Sequence, residues 1–146
     1  MSAFNKFYIF VEDLAEHVHN LSSDSLKVML TNSAPAATNA VKADITEISA
    51  GNGYSAGGNA PSISSSGQSS GTYKLILANL TFTASGGSVG PFRYAVLYNN
   101  TPTTNSQGTT GKPLIGYWDY GSNVTLSDAQ TFTISFDGTN GVLQLV

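Results

Sequence analysis

The sequence predicts a mainly β protein: a two-sheet antiparallel sandwich of about eight strands, of the jelly-roll kind, with one N-terminal amphipathic helix. Three observations predict it. Short runs rich in Val, Ile, Leu, Phe, Tyr and Thr recur from Leu26 to Val146, and Gly-, Asn- and Ser-bearing turns separate them. Helical spacing marks only residues 4–21. Finally, two aromatic runs, Val89-Gly-Pro-Phe-Arg-Tyr-Ala-Val-Leu-Tyr98 and Lys112-Pro-Leu-Ile-Gly-Tyr-Trp-Asp-Tyr-Gly121, flank a polar stretch. Successive apolar residues in both suit strands covered on both faces. They are read as the central pair, joined by a surface loop over 99–111. The segment 89–121 holds the only Trp and four of the seven Tyr.

Within residues 4–21, Phe4, Phe7, Tyr8, Val11, Leu14, Val18 and Leu21 recur at three- and four-residue steps and form one stripe. Such a helix lies on its own sandwich or on a partner subunit. The aromatic end of that stripe makes Phe4, Phe7, Tyr8 and Val11 candidate interface residues. After a turn at 20–24, Leu26, Val28 and Leu30 alternate with Lys27, Met29 and Thr31 as a half-buried strand. Residues 32–42 read as loop. Asp44-Ile-Thr-Glu-Ile48 reads as a helical turn with Asp44 capping, or as a short strand.

From Ser49 to Gly71 the chain is mostly Gly, Ser and Asn, with a tight loop over 51–58 and an edge strand over 61–66. Strands follow at 72–78 and 80–84, then the central pair, then a short strand carrying Val124 and Leu126. Gln130 to Phe136 alternates cleanly. Asp137-Gly-Thr-Asn-Gly141 reads as a hairpin turn that returns Val142–Val146 beside it. The expected single core contains Phe82, Phe92, Tyr94, Val96, Leu114, Trp118, Phe132, Ile134 and Phe136. On that reading Ile134→Ala costs about 2–5 kcal/mol.

With 146 residues the chain reads as one domain, 1–146, with helix and turn over 1–22 and sandwich over 23–146. Charged residues make up only 10% and the net charge is −3, so no basic stripe exists to neutralise phosphates, and direct nucleic-acid binding is not expected. No run approaches the roughly 20 apolar residues of a membrane span, and the polar face of the N-terminal helix is acidic, where an interfacial helix carries Lys and Arg. Cysteine is absent, which excludes disulfides, thiol catalysis and Cys-bound metal. The start of the chain is no secretory signal, since acids arrive at Glu12 and Asp13.

No constellation names a reaction. Gly53-Tyr-Ser-Ala-Gly57 matches a nucleophile elbow by letter, and Gly51 to Ala56 a degenerate dinucleotide fingerprint. Both need a strand before and a helix after, and the flanks are loop; both His precede Ser55. His17 and His19 stand two apart, so on a helix they diverge, and they read as solvated or interface side chains. Asp119 and Asp128 are the carboxylates near the aromatic strands. A glycosidase needs two acids about 5–10 Å apart across a cleft, and an acid among aromatics equally describes a core strand with one Asp at the surface. Arg93, the only Arg, reads as an ion-pair or interface anchor beside Trp118 and Tyr120. Sequons at Asn20, Asn79, Asn99 and Asn123 are expected by chance in a chain this rich in Asn, Ser and Thr. No catalytic residue, metal or cofactor is expected.

Four stretches resemble small virion proteins of tailed bacteriophages, especially jelly-roll capsid cement or decoration proteins: Phe4-Asn-Lys-Phe7 with Val11-Glu-Asp-Leu14; Asp44–Ile48 with Ala50–Tyr54; Gly86–Tyr94; and Pro113–Gly121. The resemblance implies a non-enzymatic protein on the capsid exterior. Its implied partners are the major capsid protein and further copies of itself, and it has no membrane or direct nucleic-acid partner. The alternative is a glycan- or receptor-binding module of a tail fibre or spike, stacking sugars on Tyr117, Trp118 and Tyr120.

Overall fold

The computed structural model describes residues 2–146 and contains nine antiparallel strands and one short α-helix. In chain order these are β1 (Asn5–Lys6), α1 (Ile9–Ala15), β2 (Leu26–Thr31), β3 (Ile63–Ser69), β4 (Thr72–Leu77), β5 (Leu80–Thr83), β6 (Val89–Asn99), β7 (Leu114–Leu126), β8 (Thr131–Ile134) and β9 (Leu143–Leu145). They form a four-stranded sheet β1-β7-β6-β2, a three-stranded sheet β3-β4-β9 and a ribbon β5-β8. The arrangement is sandwich-like. Residues on one face of β2, β6 and β7, among them Leu26, Val28, Leu30, Leu97, Ile115 and Trp118, share one cluster with Leu75, Leu77, Phe82 and Leu143 of the other two sheets; a register shift at Leu97/Tyr98 skips Ile115 in the β6–β7 pairing.

The expected central pair is central, with β2 and β7 flanking β6. What the sequence did not indicate is a second core on the outer face of the same sheet. Phe7, Ile9, Met29, Ile45, Val96, Tyr98 and Leu114 are buried there, beneath the N-terminal segment and the loops. Met29 and Thr31 are therefore fully buried, not solvent-facing as alternation implied. Val96 and Leu114 belong to this second cluster and not to one common core. Tyr94, Phe132 and Ile134 are only partly buried.

The N-terminal helix is much shorter than the periodicity suggested. Residues 4–7 are extended: β1 pairs Asn5 with Tyr117 and Lys6 with Gly116, and the Phe7 amide continues to the Ile115 carbonyl. This close approach depends on Gly116, whose missing Cβ leaves room for the Phe4 ring. At its other end α1 stops in a left-handed cap. His17 takes φ 65°, the Val18 amide reaches the Asp13 carbonyl at 2.8 Å and the His17 amide reaches Leu14 at 3.4 Å. The buried face is Ile9, Phe10 and Asp13, so the stripe through Phe4, Phe7, Tyr8 and Val11 is not one face of anything. Extended residues 4–7 do not share the helical phase.

Two connections also differ. Val124 and Leu126 are the end of β7, not a separate strand. Between the pairs Tyr94↔Asp119 and Phe92↔Val124 β7 carries three residues more than β6, and the excess at 120–123 stands out exposed. The 137–141 turn is no hairpin. Asp137 Oδ1 caps the amides of Thr139 and Asn140, and the chain crosses from the β5-β8 ribbon to pair β9 with β4. Gly141, at φ 81°, permits the crossing, because a Cβ there would strike the Leu75 carbonyl. Asp44 caps a different turn from the one expected. It closes the 3₁₀ turn Lys42–Asp44 that precedes it, accepting from the Ala40 and Val41 amides at 2.8 and 3.0 Å. Residues 45–48 form neither a helical turn nor a strand, only the isolated bridge of Glu47 to Thr31.

Leu97, with no exposure, is the position where a large-to-small change tests the main core. Leu97→Ala is expected to cost about 2–5 kcal/mol in urea unfolding. The partly buried Ile134 is expected to cost less on truncation to Ala, roughly 1–2 kcal/mol, in proportion to the smaller area it buries. The reverse ranking would place the core elsewhere.

Candidate interaction surface

The N-terminal segment, α1 and β9 enclose a groove of about 490 Å³ lined by Phe4, Lys6, Phe10, Val11, Leu14 and residues 143–145. β9 is hydrogen-bonded to β4 on one side, and its outer edge has no strand partner among the described residues. A shorter, more polar cleft of about 310 Å³ continues past Leu14 and Leu145 to His17, Ser22, Ser66 and Tyr73. Val11 and Leu145 of the groove lining are 51% and 42% exposed, while Tyr8, 66% exposed, stands at a separate cleft with Ile9, Glu12, Thr38, Ala40 and Gln107. An unpaired strand edge beside apolar surface is a ready template for another chain.

The candidate interface residues divide. Tyr8, Val11 and Tyr120 are exposed. Phe7 is fully buried in the second core, and its ring meets Tyr117 at 5.3 Å. Trp118 is 5% exposed, between Phe4 and Phe136 at 5.4 and 5.5 Å. Phe4 is half-buried against the main core. These three hold the chain's own fold, because β1 carries the N-terminus across the end of β7 instead of leaving it as a free helix.

At the β7 bulge, Arg93 and Asp119 form a two-pronged pair. Arg93 Nε donates to Oδ1 at 2.7 Å and Nη2 to Oδ2 at 2.9 Å. The guanidinium also lies over the Tyr94 ring at 5.4 Å. The Arg93 hydrogen bond, helped by the Gly121 amide, holds the Asp119 carboxyl below its ordinary range. Tyr120 projects beside this pair, edge-on to Phe132 at 5.3 Å. A stacking platform of Tyr117, Trp118 and Tyr120 does not form, since Trp118 is buried and Tyr117 belongs to the opposite face with Phe7. Asp128 accepts from the Gly86 amide at a turn and Asp119 is committed to Arg93.

The Gly53–Gly57 stretch is a tight turn in which Gly51 and Tyr54 exchange backbone hydrogen bonds, and no elbow surrounds Ser55. Its order comes from residues that motif reading passed over. Tyr54 is buried; its hydroxyl donates to Glu47 Oε1 at 2.7 Å and accepts from the Leu30 amide at 3.0 Å. Burial pushes its pKa well up. Glu47 Oε1 also accepts from the Gly57 amide, while Oε2 meets Lys42 Nζ at 3.2 Å. The Tyr98 hydroxyl, pushed up to about 12 by burial with Glu47 adding to it, donates to the Gly57 carbonyl at 2.7 Å.

His19 corrects another expectation. It is 4% exposed, neither solvated nor at an interface. His17 remains exposed. Asp13, His19 and Asn99 form a buried polar set that motif reading missed. A signal existed: Asp13 lies three and four residues from Phe10 and Ile9, on the buried helical face. Among the described residues no group of three His, Cys, Asp or Glu side chains gathers as a cation site.

Comparison with protein-family models, curated proteins and solved structures finds no match to this chain.

If Phe7 is core and Val11 surface, their truncations separate. Phe7→Ala is expected to lose about 3–5 kcal/mol, whereas Tyr8→Ser and Val11→Ser stay within about 0.5 kcal/mol of the parent. Thermal and urea unfolding of the three variants measure this directly; a stable Phe7→Ala protein would contradict the packing described.

Proposed function

We propose that this chain is a non-enzymatic structural protein of a virion, a jelly-roll capsid cement or decoration protein that bridges major capsid subunits on the shell exterior and associates with its own copies. The observation that carries this reading is the apolar groove along the open edge of β9, rimmed by the exposed Val11 and Leu145. Such a surface works through buried area, and stable specific contacts need about 1,200–2,000 Å² in total with aromatic and Arg anchors. Tyr120 and the half-exposed Arg93 supply anchors of that type at the β7 bulge. Low surface charge makes such contacts tolerant of salt. The resemblance of residues 4–7 with 11–14, 44–48 with 50–54, 86–94 and 113–121 to phage decoration proteins is what suggests the virion context.

A second reading, a glycan-binding module of a tail fibre or spike, draws on the exposed Tyr120 ring beside Arg93 and Asp119. Its platform is reduced to one aromatic, so Tyr120→Ala is the variant that tests it on a glycan array.

Val11→Ser/Leu145→Ser is the test of the principal reading. The double variant is expected to keep its melting temperature and lose at least tenfold in binding to capsids stripped of this protein, or in self-association by sedimentation. Undiminished binding would remove the groove from the proposal. Ser55→Ala, His17→Ala and Asp119→Asn are expected to leave esterase and glycosidase readings at background. Turnover that one of them abolishes would refute the non-enzymatic reading.

A further inference from the structure

The buried polar set at the end of β6 has an arrangement that only one protonation state satisfies. Asn99, with no exposure, is fixed in orientation by three partners: its Oδ1 accepts from the Thr101 amide at 3.0 Å, and its Nδ2 lies 2.6 Å from Asp24 Oδ2 and 3.1 Å from His19 Nδ1. Turning the amide over would set Oδ1 against the Asp24 carboxylate and Nδ2 against the Thr101 N–H, so the amide cannot adapt. His19 Nδ1 must therefore accept, and the ring proton sits on Nε2, which faces Asp13 Oδ2 at 3.8 Å. Asp13 Oδ1 in turn accepts from the Ser106 amide at 2.7 Å. The set thus joins α1, the 16–24 turn, the end of β6 and the long loop. The inward donor Asn99 Nδ2 argues against a metal on the imidazole.

We propose that His19 is the pin of a pH-sensitive latch: while the ring is neutral the Asn99 amide fastens the 16–24 turn and the 100–111 loop to the end of β6, and a proton on Nδ1 undoes the fastening. A second ring proton would set two donors face to face at the present 3.1 Å separation, so the ring must swing away, and the polar cleft lined by His17, Asn20, Ser22, Ser66 and Tyr73 lies beside it. The charged groups around the ring are Asp13 from α1 and Asp24 from the turn before β2. Exposed His17 and Tyr73 of β4 share the cleft with it, and Phe10 packs on the ring at 5.4 Å. From the long loop, Asn105 and Ser106 bring no charge. Asp13 Oδ2, His19 Nε2, Asn105 Nδ2 and Ser106 Oγ are all buried without a hydrogen-bond partner among the described residues, so the ring has no hydrogen bond to lose in swinging away except the one from Asn99 Nδ2.

Burial lowers the His19 pKa from its ordinary 6.5, against the pull of Asp13 and Asp24. With the folded value below the unfolded one, the stabilising contribution is complete above pH 6.5 and is lost as pH falls through the window beneath it. Two measurements on the intact chain test the latch. The His19 ring is titrated by NMR, and amide exchange, corrected for its intrinsic pH dependence, is followed between about pH 8 and pH 5. The ring is expected to titrate below 6.5, with protection at Thr101 and Ser106 falling about tenfold while Val96 and Leu97 in the centre of β6 keep theirs. In His19→Gln that pH dependence is expected to vanish. A ring titrating at or above 6.5, protection that holds at Thr101 and Ser106 after the ring has titrated, or an equal loss at Val96 and Leu97 would overturn the proposal. The titration of the unaltered protein decides the matter even where His19→Gln fails to fold.

Discussion

Everything in this chain follows from a central sheet that must be covered on both faces with almost no helix to cover it. Leu97 looks into one core and Val96 and Tyr98 into another. The first face meets two small sheets, which is ordinary sandwich packing. The second meets extended N-terminal residues and loops, and loops bring unpaired backbone amides and carbonyls to buried places. A lid of loops is stable only where side chains satisfy those groups. That requirement accounts for the composition: Asn, Asp, Ser and Thr are short hydrogen-bonding residues that cap backbone locally, and they occupy positions where a more charged protein carries Lys and Glu.

The buried polar residues can be understood as fasteners of that lid. Asp44 closes the turn that brings Ile45 into the second core. Glu47, Lys42 and Tyr54 hold the Gly-rich 51–58 loop against β2. Thr31 binds the Thr46 carbonyl and closes the strand end. Asp13 fastens the long loop to α1. Each is worth more by its absence than its presence, since an orphaned buried partner costs about 1–3 kcal/mol. Together they make the loops part of the fold instead of decoration upon it.

The strands were legible because alternation and turn residues report local backbone directly, and the central pair because continuous apolar runs signal double coverage. What failed was phase and partnership. Phe4, Phe7, Tyr8 and Val11 fit a helical period by spacing alone, while the extended pairing of Asn5 and Lys6 depends on Gly116, more than a hundred residues away. Val142–Val146 was correctly a strand, but its partner is β4, and nothing local in Asp137–Gly141 distinguishes a crossing from a hairpin. Of the candidate interface residues, Tyr8, Val11 and Tyr120 reach solvent and Arg93 does so in part; Phe4, Phe7 and Trp118 look like the same residue class in sequence, yet tertiary packing claims them. His19 and Asn99 were hidden for the same reason, since their chemistry lies in being buried together across 80 positions.

The surface left over is informative because so much of the aromatic content has been used inside. Phe4, Phe7, Tyr54, Phe82, Phe92, Tyr98, Trp118 and Phe136 all serve the two cores, so an exposed aromatic here is not surplus from an overfilled interior. Tyr8 stands at a cleft of its own beside α1, and Tyr120 on the outward bulge that is the widest of three register shifts in the β6–β7 ladder. A bulge costs ladder hydrogen bonds and tends to re-aim a side chain; an open strand edge beside apolar groups is a liability for a monomer. Both features weaken the isolated chain and make physical sense where a partner surface covers them.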